Sequence, residues 1–264
     1  SPQYRDDYVR WKSETNYDEE NDLDKIINNP LLPDPENTRI RVYATQSTHK
    51  TLTSMRQGSM IHIYDQDFES KAQDAFMEAY MTHTSTSPNY QILASLDIGR
   101  RQVELEGFEF VSKSIELAMT LREHIRNSPL ISKYFKLLGP KHLVPSEHRE
   151  SSIEYYYDPD NGWTRMEVAY DFDEFALDPT RITLAVGSSA MDGDQFKQYL
   201  MNHHNIQINK TSRNTVLFMI HIGTTRGAVG HLLEVLSTIA EELEEKFEDA
   251  NEIDEKIRVQ KVKS

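Results

Sequence analysis

The chain of 264 residues carries 43 acidic and 29 basic side chains, and this net charge of −14 leaves no basic excess to neutralise the phosphates of nucleic acid. The absence of cysteine excludes disulfides, thiolate nucleophiles and cysteine-based zinc sites, and it fits a cytoplasmic location. No run approaches about 18 apolar residues and the N-terminus lacks the zones of a signal peptide, so neither a membrane span nor export is expected.

The first part of the chain predicts a lead-in followed by strands and one helix. Residues 1–37 are polar and acidic, with prolines near their end, and are interpreted as a linker or loop-rich lead-in. The β-branched and aromatic content of Arg39–Ala44 predicts a strand that enters a core, and the alternation in residues 59–65 predicts a second strand. Between them, residues 51–57 are typical of a helix. An amphipathic helix is predicted over Glu69–Met81.

A long helix is predicted in the middle of the chain. The run HTSTSP at residues 83–88 indicates a turn, and Tyr90 to about Asn127 is typical of a helix with an interruption near Gly107. Pro129 is expected to end this helix.

The periodicity then changes. Strands are predicted in three segments that are separated by turns: residues 153–158, 164–172 and 182–186. A short helix over residues 192–205, a strand over 215–222 and a final amphipathic helix over Ala228–Phe247 follow. The order suggests the end of an α/β domain over residues 38–130, a smaller α+β domain over 131–248 and a charged tail over 249–264.

The segment TQSTHKTLTSMRQGSMIH, residues 45–62, contains the residues best suited to chemistry. Lys50 follows a predicted strand and precedes a predicted helix, the position where α/β folds build their sites. A lysine whose pKa is lowered by burial or by a nearby cation can form a Schiff base, while His49 can donate to a phosphate or carry a proton, and Ser47 and Thr48 add hydroxyls. The alternative is an ordinary helix N-terminus that Ser47 caps, with Lys50 in solvent.

Several segments in fixed order indicate a family. STHK at 47–50 is followed by SMIH, HTSTSP, DPTRITL, IQINKTSRNTVLF and IGTT. In this order the segments resemble the ornithine/lysine/arginine decarboxylase family, whose members are fold type I enzymes that depend on pyridoxal 5'-phosphate (PLP). The resemblance extends over about residues 30–245. It implies that residues 38–130 are the C-terminal part of the PLP-binding large domain.

The resemblance also implies roles for individual residues. Lys50 would form the Schiff base with PLP, and Ser47 and His49 would contact the phosphate, with His49 favoured for a catalytic proton. Ser85, in the HTSTSP turn, would reach across a dimer interface toward the phosphate of the neighbouring subunit. The alternative for Ser85 is a helix-capping turn without a chemical role.

The implied reaction is decarboxylation of lysine, arginine or ornithine in the cytoplasm, by a dimer or a higher oligomer, as in polyamine biosynthesis. Two alternatives remain open: another fold type I reaction, such as that of an aminotransferase or aldolase, and a non-catalytic assembly or interaction fragment. In the family, the phosphate-binding loop and the aspartate beneath the cofactor ring precede the lysine. Only 49 residues precede Lys50 here, so the chain is expected to be a middle segment that is inactive without the missing upstream half of the PLP domain.

The substrate-binding residues depart from the family pattern. Lysine and arginine decarboxylases tend to show Glu-Lys-Thr where this chain has Asn209, Lys210 and Thr211. Asparagine cannot provide the negative charge that pairs with a cationic substrate, so the identity of the amino acid stays open. Arg213 could face an anionic group or lie on the surface.

No metal site is predicted. His203 and His204 are adjacent, and on a helix their side chains diverge by about 100°. Residues 223–227 lack the spacing of a phosphate-binding P-loop and are expected to form a turn into a helix that Thr224 or Thr225 caps. The acidic side chains of residues 171–178 are expected to lie in solvated loops.

Overall fold

The computed structural model describes residues 2–15, 21–28, 32–157 and 160–248. The chain forms two compact units: unit 1 contains residues 1–47 and 57–94, and unit 2 contains residues 48–56 and 95–264. The domain limits inferred from the sequence remain predictions, and the predicted charged tail lies outside the described residues.

Unit 1 begins with two helices where the sequence suggested a loop-rich lead-in. Helix α1 spans Pro2–Glu14 and α2 spans Leu23–Asn28, so the prediction was wrong for these residues. α1 has a short aromatic face, where Tyr4, Tyr8 and Trp11 are partly buried at helical spacing, but the polar and acidic residues around it favoured a loop. Local ion pairs of the kind that support such a helix are present, for example between Arg10 and Asp7 at 2.5 Å.

A two-stranded antiparallel ribbon follows. Strand β1 spans Arg41–Gln46 and β2 spans Met60–Asp65, with Arg41 opposite Asp65, which confirms both predicted strands. The expectation that the first strand enters a core is wrong, because residues 41–45 are all exposed. β-branched and aromatic residues favour the pleated backbone of a strand, and an exposed ribbon has that backbone as much as a buried sheet does. Their presence therefore predicts a strand but not its burial.

A polar network stabilises one end of this ribbon. The Tyr43 hydroxyl donates to the Asp65 carboxylate over 2.6 Å, and Arg41 donates to Asp67 over 2.8 Å. The hydrogen bond from Tyr43, together with the Asp67 amide and Arg41, holds the pKa of Asp65 below its ordinary value. A lowered carboxyl pKa stabilises the fold above the unfolded value of about 3.9, and that stabilisation is lost as pH falls through the folded pKa.

Replacing Tyr43 with phenylalanine removes the largest cause of this shift. We expect the Asp65 titration midpoint in Tyr43→Phe, followed by NMR at the side-chain carboxyl carbon, to move up toward the ordinary value. The matched control is Tyr64→Phe, since Tyr64 is 61% exposed on the neighbouring strand. An equal midpoint in Tyr43→Phe and the unaltered chain would contradict this assignment.

The helices that follow the ribbon agree with the sequence in extent. A short π-helix over Phe68–Ala72 leads into α4, Gln73–His83, and a turn separates α4 from α5, Tyr90–Asn127. The predicted interruption at Gly107 is wrong, because α5 runs through it. A glycine inside a helix costs only about 1 kcal/mol, which a helix of 38 residues tolerates.

Unit 2 combines further helices with a four-stranded sheet. The helices are α3, Thr48–Thr51; α6, Pro129–Tyr134; α7, Pro140–Leu143; α8, Thr164–Phe172; α9, Gly193–His204; and α10, Arg226–Glu248. The strands are β3, Lys136–Leu138; β4, Arg181–Ala185; β5, Lys210–Thr211; and β6, Thr215–Met219. Short 3₁₀ turns lie at Ser146–His148 and Gly187–Ser189. The sheet is antiparallel throughout, in the order β3-β4-β6-β5.

The main core of unit 2 lies between this sheet and its helices. Burial alternates along β4 and β6, so that Ile182 and Leu184 share a buried face with Val216 and Phe218. The predicted stripe of α10, which includes Leu236, is buried in the same cluster, as are residues of the C-terminal half of α5. This agreement confirms the predicted final helix, and the predicted helix at α9 and strands at β4 and β6 are confirmed as well.

Two strand predictions in unit 2 are wrong. Residues 164–172 form helix α8, and the described part of residues 153–158 is not in a strand. Met166 and Ala169 are three residues apart and both buried, a spacing that matches a helix face and not the two-residue repeat of a strand. The strand predictions depended on the aromatic and β-branched residues of these two segments, which are common in strands but do not by themselves establish a two-residue repeat.

Candidate functional site

The residues predicted for chemistry lie in a turn directly after β1. Helix α3 begins at Thr48 and contains His49 and Lys50. The Thr48 side chain is only 5% exposed, and its hydroxyl shares a hydrogen bond of 2.9 Å with that of Ser54. This bond closes the turn, so one buried hydroxyl fixes the base of the segment that carries the lysine.

The turn packs closely on α5 within unit 2. The Met55 amide donates to the Ser95 hydroxyl over 3.0 Å, and a Cβ added at Gly99 would lie 1.8 Å from the Thr53 carbonyl oxygen. Only a glycine allows backbone to approach this closely. Residues 52–57 therefore form turns against α5, and the helix predicted over residues 51–57 is wrong, since the helical turn ends at Thr51.

The reactive candidates differ in exposure. Lys50 is exposed, and within the described residues its ammonium group makes no hydrogen bond or ion pair. His49 is partly buried, and Ser47, which belongs to unit 1, is exposed. The burial expected of a Schiff-base lysine is thus not provided by this chain alone. Lys50 does follow a strand, β1, as the sequence predicted.

Ser85 lies in the predicted turn of unit 1. Its side chain is exposed, accepts a hydrogen bond from the Ser87 amide over 3.1 Å and contacts the Ser87 carbonyl oxygen at 3.3 Å. The start of α5 is capped by Asn89, whose side chain accepts from the Gln91 and Ile92 amides. Asn89 therefore caps this helix, while the Ser85 hydroxyl is engaged within its own turn by Ser87.

Asn209 and Arg213 belong to the β5–β6 hairpin. Both side chains are exposed, and among the described residues neither forms a hydrogen bond or ion pair with Lys50. Arg213 lines a surface pocket together with Asp192 and Asp194, so the surroundings of its guanidinium are acidic. These neighbours weaken the case for Arg213 as a receptor of an anionic group.

The remaining polar candidates have structural partners. Asp173 accepts hydrogen bonds from the amide and hydroxyl of Ser151, and Glu174 contacts His148 at 2.7 Å. Asp171, Glu174 and Asp178 are exposed, as expected of solvated side chains, whereas Asp173 is partly buried by its bonds to Ser151. Thr225 accepts from the Ala228 amide over 3.1 Å, which confirms it as the cap of α10.

In the part of the chain that the structure describes, no three histidine, aspartate or glutamate side chains are grouped so that they could hold a metal ion. Among the helices of the same residues, none is both long enough and apolar enough to cross a bilayer.

The comparisons with known proteins agree with the resemblance in the sequence. The chain belongs to the family described as Orn/Lys/Arg decarboxylase, major domain, whose family model matches residues 25–228. This match contains Ser47, His49, Lys50 and Ser85 and confirms the family.

Curated relatives include lysine and arginine decarboxylases. The chain is 30% identical over 207 residues to a lysine decarboxylase of Hafnia alvei, an alignment that covers 74% of this chain and 26% of the relative. It is 24% identical over 197 residues to an arginine decarboxylase of Bacillus cereus, with coverage of 75% and 36%. The chain therefore spans about a quarter to a third of the length of these relatives.

Solved structures show the same likeness. The lysine decarboxylase of Francisella novicida superposes with a TM-score of 0.56 at 26% identity, covering 81% of this chain and 29% of that one. The constitutive lysine decarboxylase of Escherichia coli gives a TM-score of 0.54 at 23% identity, covering 76% and 28%. These neighbours support the predicted α/β fold of the family.

Sequence reasoning missed two residues that position the lysine turn. Thr48 was noticed only as a further hydroxyl beside Ser47, yet it is the buried anchor. Gly99 was not singled out, although a glycine within a helical pattern is a signal of close backbone approach.

Gly99→Ala tests whether the turn depends on this approach. The added Cβ would meet the Thr53 carbonyl oxygen at 1.8 Å, so the turn must move, and overpacking of this kind destabilises by about 1–3 kcal/mol. The control is Gly230→Ala in α10, where nothing lies within 4 Å of the added Cβ and removal of a helical glycine should stabilise by up to about 1 kcal/mol. Urea unfolding measures both, and equal stabilities would contradict the close approach.

Proposed function

We propose that this chain is the cofactor-lysine segment of a PLP-dependent decarboxylase that acts on a basic amino acid. The observation that carries the proposal is the place of Lys50. It follows shortly after β1, in a turn that Thr48 closes and that Gly99 and Ser95 attach to α5, within the residues that match the decarboxylase family.

The residues of the turn suit PLP in their chemistry. The cofactor is an aldehyde that carries a phosphate, and the turn offers it an amine at Lys50, a hydroxyl at Ser47 and an imidazole at His49. When bound, PLP accepts the electrons left behind as the carboxylate departs from the amino acid. The donor set therefore fits the group, while the exposure of Lys50 leaves the walls of a pocket to be provided by other residues.

Each residue has a defined role in this proposal. Lys50 holds the cofactor covalently through its side-chain nitrogen, which must be neutral to attack an aldehyde. Ser47 and His49 donate hydrogen bonds to the phosphate, and His49 carries a proton to or from the substrate. Ser85 donates to the phosphate bound by the neighbouring subunit of a dimer.

The proposal places part of the pocket outside this chain. The chain spans 26% of the Hafnia alvei relative, and a lysine that acts as a nucleophile needs surroundings that lower its pKa. Residues beyond the 264 of this chain, and a second subunit, would bury Lys50 and complete the phosphate site. The activity is accordingly proposed for the assembled enzyme.

The substrate is proposed as lysine, arginine or ornithine. Both lysine and arginine decarboxylases occur among the relatives. Asn209 provides no negative charge for the cationic end of such a substrate, so we propose that it contributes a neutral hydrogen bond there.

Lys50→Ala is expected to abolish amine release by the complete enzyme. The rate of formation of the diamine or agmatine from lysine, ornithine or arginine should fall by about three orders of magnitude or more, because the covalent attachment is lost. Liquid chromatography of the products measures the effect. The control is Lys113→Ala, since Lys113 is an exposed lysine of α5 whose one ion pair among the described residues is with Glu109, four residues away.

Two outcomes would contradict the proposal. Amine release by Lys50→Ala at the rate of the unaltered enzyme would exclude Lys50 as the cofactor lysine. Formation of a keto acid in place of the amine would exclude decarboxylation and favour an aminotransferase.

A further inference from the structure

A cavity in unit 2 has no role in the proposed reaction. It has a volume of about 230 Å³ and lies between the C-terminal half of α5, the start of β4 and the segment that contains three consecutive tyrosines, Tyr155–Tyr157. Apolar side chains, among them Leu137, Leu143 and Leu177, form much of its wall. Such a concave, largely apolar space with a few polar groups is the usual form of a small-molecule site.

Arg122 is a buried cation in the wall of this cavity. Its side chain is 7% exposed, and its guanidinium donates to the carbonyl oxygens of Pro179 and Arg181. Within the described residues it forms no ion pair with a carboxylate. Burial lowers the pKa of Arg122 to about 10, so the group is still charged at neutral pH. A buried charge without an ion-pair partner is unfavourable.

Two further arginines reach the same cavity. Arg126 stacks on the Tyr155 ring at 4.0 Å and donates to the Tyr157 carbonyl oxygen over 2.8 Å. Arg181 lies at the start of β4, where Asp178 approaches it at 3.7 Å. Among the described residues of the lining, three arginines against one aspartate leave a surplus of two positive charges, within a chain whose net charge is −14.

The nearby carboxylates are engaged with other groups. Asp178 accepts hydrogen bonds from the amide and hydroxyl of Thr180 as well as facing Arg181. Glu154, next to the tyrosines, pairs with Lys141 at 2.8 Å. Asp178 also acts on Arg122 through its charge, without forming an ion pair with it, so this single carboxylate is shared between Arg122 and Arg181.

We propose that this cavity binds a small organic carboxylate, with its charged end at Arg122 and Arg126 and its apolar body against the leucine and tyrosine side chains. Guanidinium groups bind carboxylates through paired hydrogen bonds, and these bonds strengthen in a partly desolvated site. A ring or a short alkyl chain matches the size and the apolar walls of the cavity. The site is separate in its residues from Ser47, His49 and Lys50, and it does not depend on the proposed reaction.

Benzoate is the probe, and benzamide is its neutral counterpart of the same shape. Isothermal titration calorimetry of the 264-residue chain should show saturable binding of benzoate that is at least about tenfold tighter than that of benzamide, because a charge-assisted hydrogen bond is worth roughly a decade or more in affinity. Arg122 ties α5 to β4, so its replacement would also disturb the fold. Arg126 is exposed and is changed instead.

Arg126→Gln should weaken benzoate binding about tenfold and leave the unfolding midpoint near that of the unaltered chain. Arg226→Gln makes the same change of charge at a side chain that is 84% exposed and outside the cavity, and it should leave binding unchanged. Absence of saturable benzoate binding, equal affinity for benzamide, or unaltered binding in Arg126→Gln would each overturn the proposal. Benzoate binding is measured without any reaction at Lys50. A negative result would therefore overturn the carboxylate site and leave the proposed decarboxylase function untouched.

Discussion

The close approach of the Thr53 backbone to α5 at Gly99 is the constraint on which the placement of Lys50 depends. The same helix packs Ala118, Leu121 and Ile125 into the core of unit 2. The segment with the lysine is therefore attached to a helix that the sheet and α10 hold rigid. A group that must meet a reacting atom benefits from such an anchor, because small displacements of a catalytic group reduce rates strongly.

The regular elements with a strong pattern could be predicted from the sequence. α10 carries an apolar stripe and β4 alternates between polar and apolar residues, so the burial of both follows from periodicity, whereas β6 is a short apolar run that is typical of a buried strand. The failures have physical causes. α1 has only a short aromatic stripe, Tyr4, Tyr8 and Trp11, within a polar and acidic segment. α8 buries only Met166 and Ala169, too few positions to distinguish its period from that of a strand.

The sequence predicts which residues form the candidate site, but not how exposed they are or which residues surround them. STHK singles out Lys50 through its resemblance to a family, whereas its exposure depends on which residues surround it in three dimensions. The cavity lined by Arg122, Arg126 and Arg181 cannot be predicted from any local sequence pattern. Arg122 and Arg126 share a helix face, but Arg181 joins them only because β4 packs against α5, and the sequence does not report that contact.

The most direct test of the central claim is borohydride reduction in the presence of PLP, followed by peptide mass mapping. The account predicts a phosphopyridoxyl mass on the peptide that contains Lys50 in the complete enzyme, and little or none in the 264-residue chain alone, where Lys50 is exposed. A complete enzyme that carries the label on another lysine, with Lys50 unmodified, would contradict it.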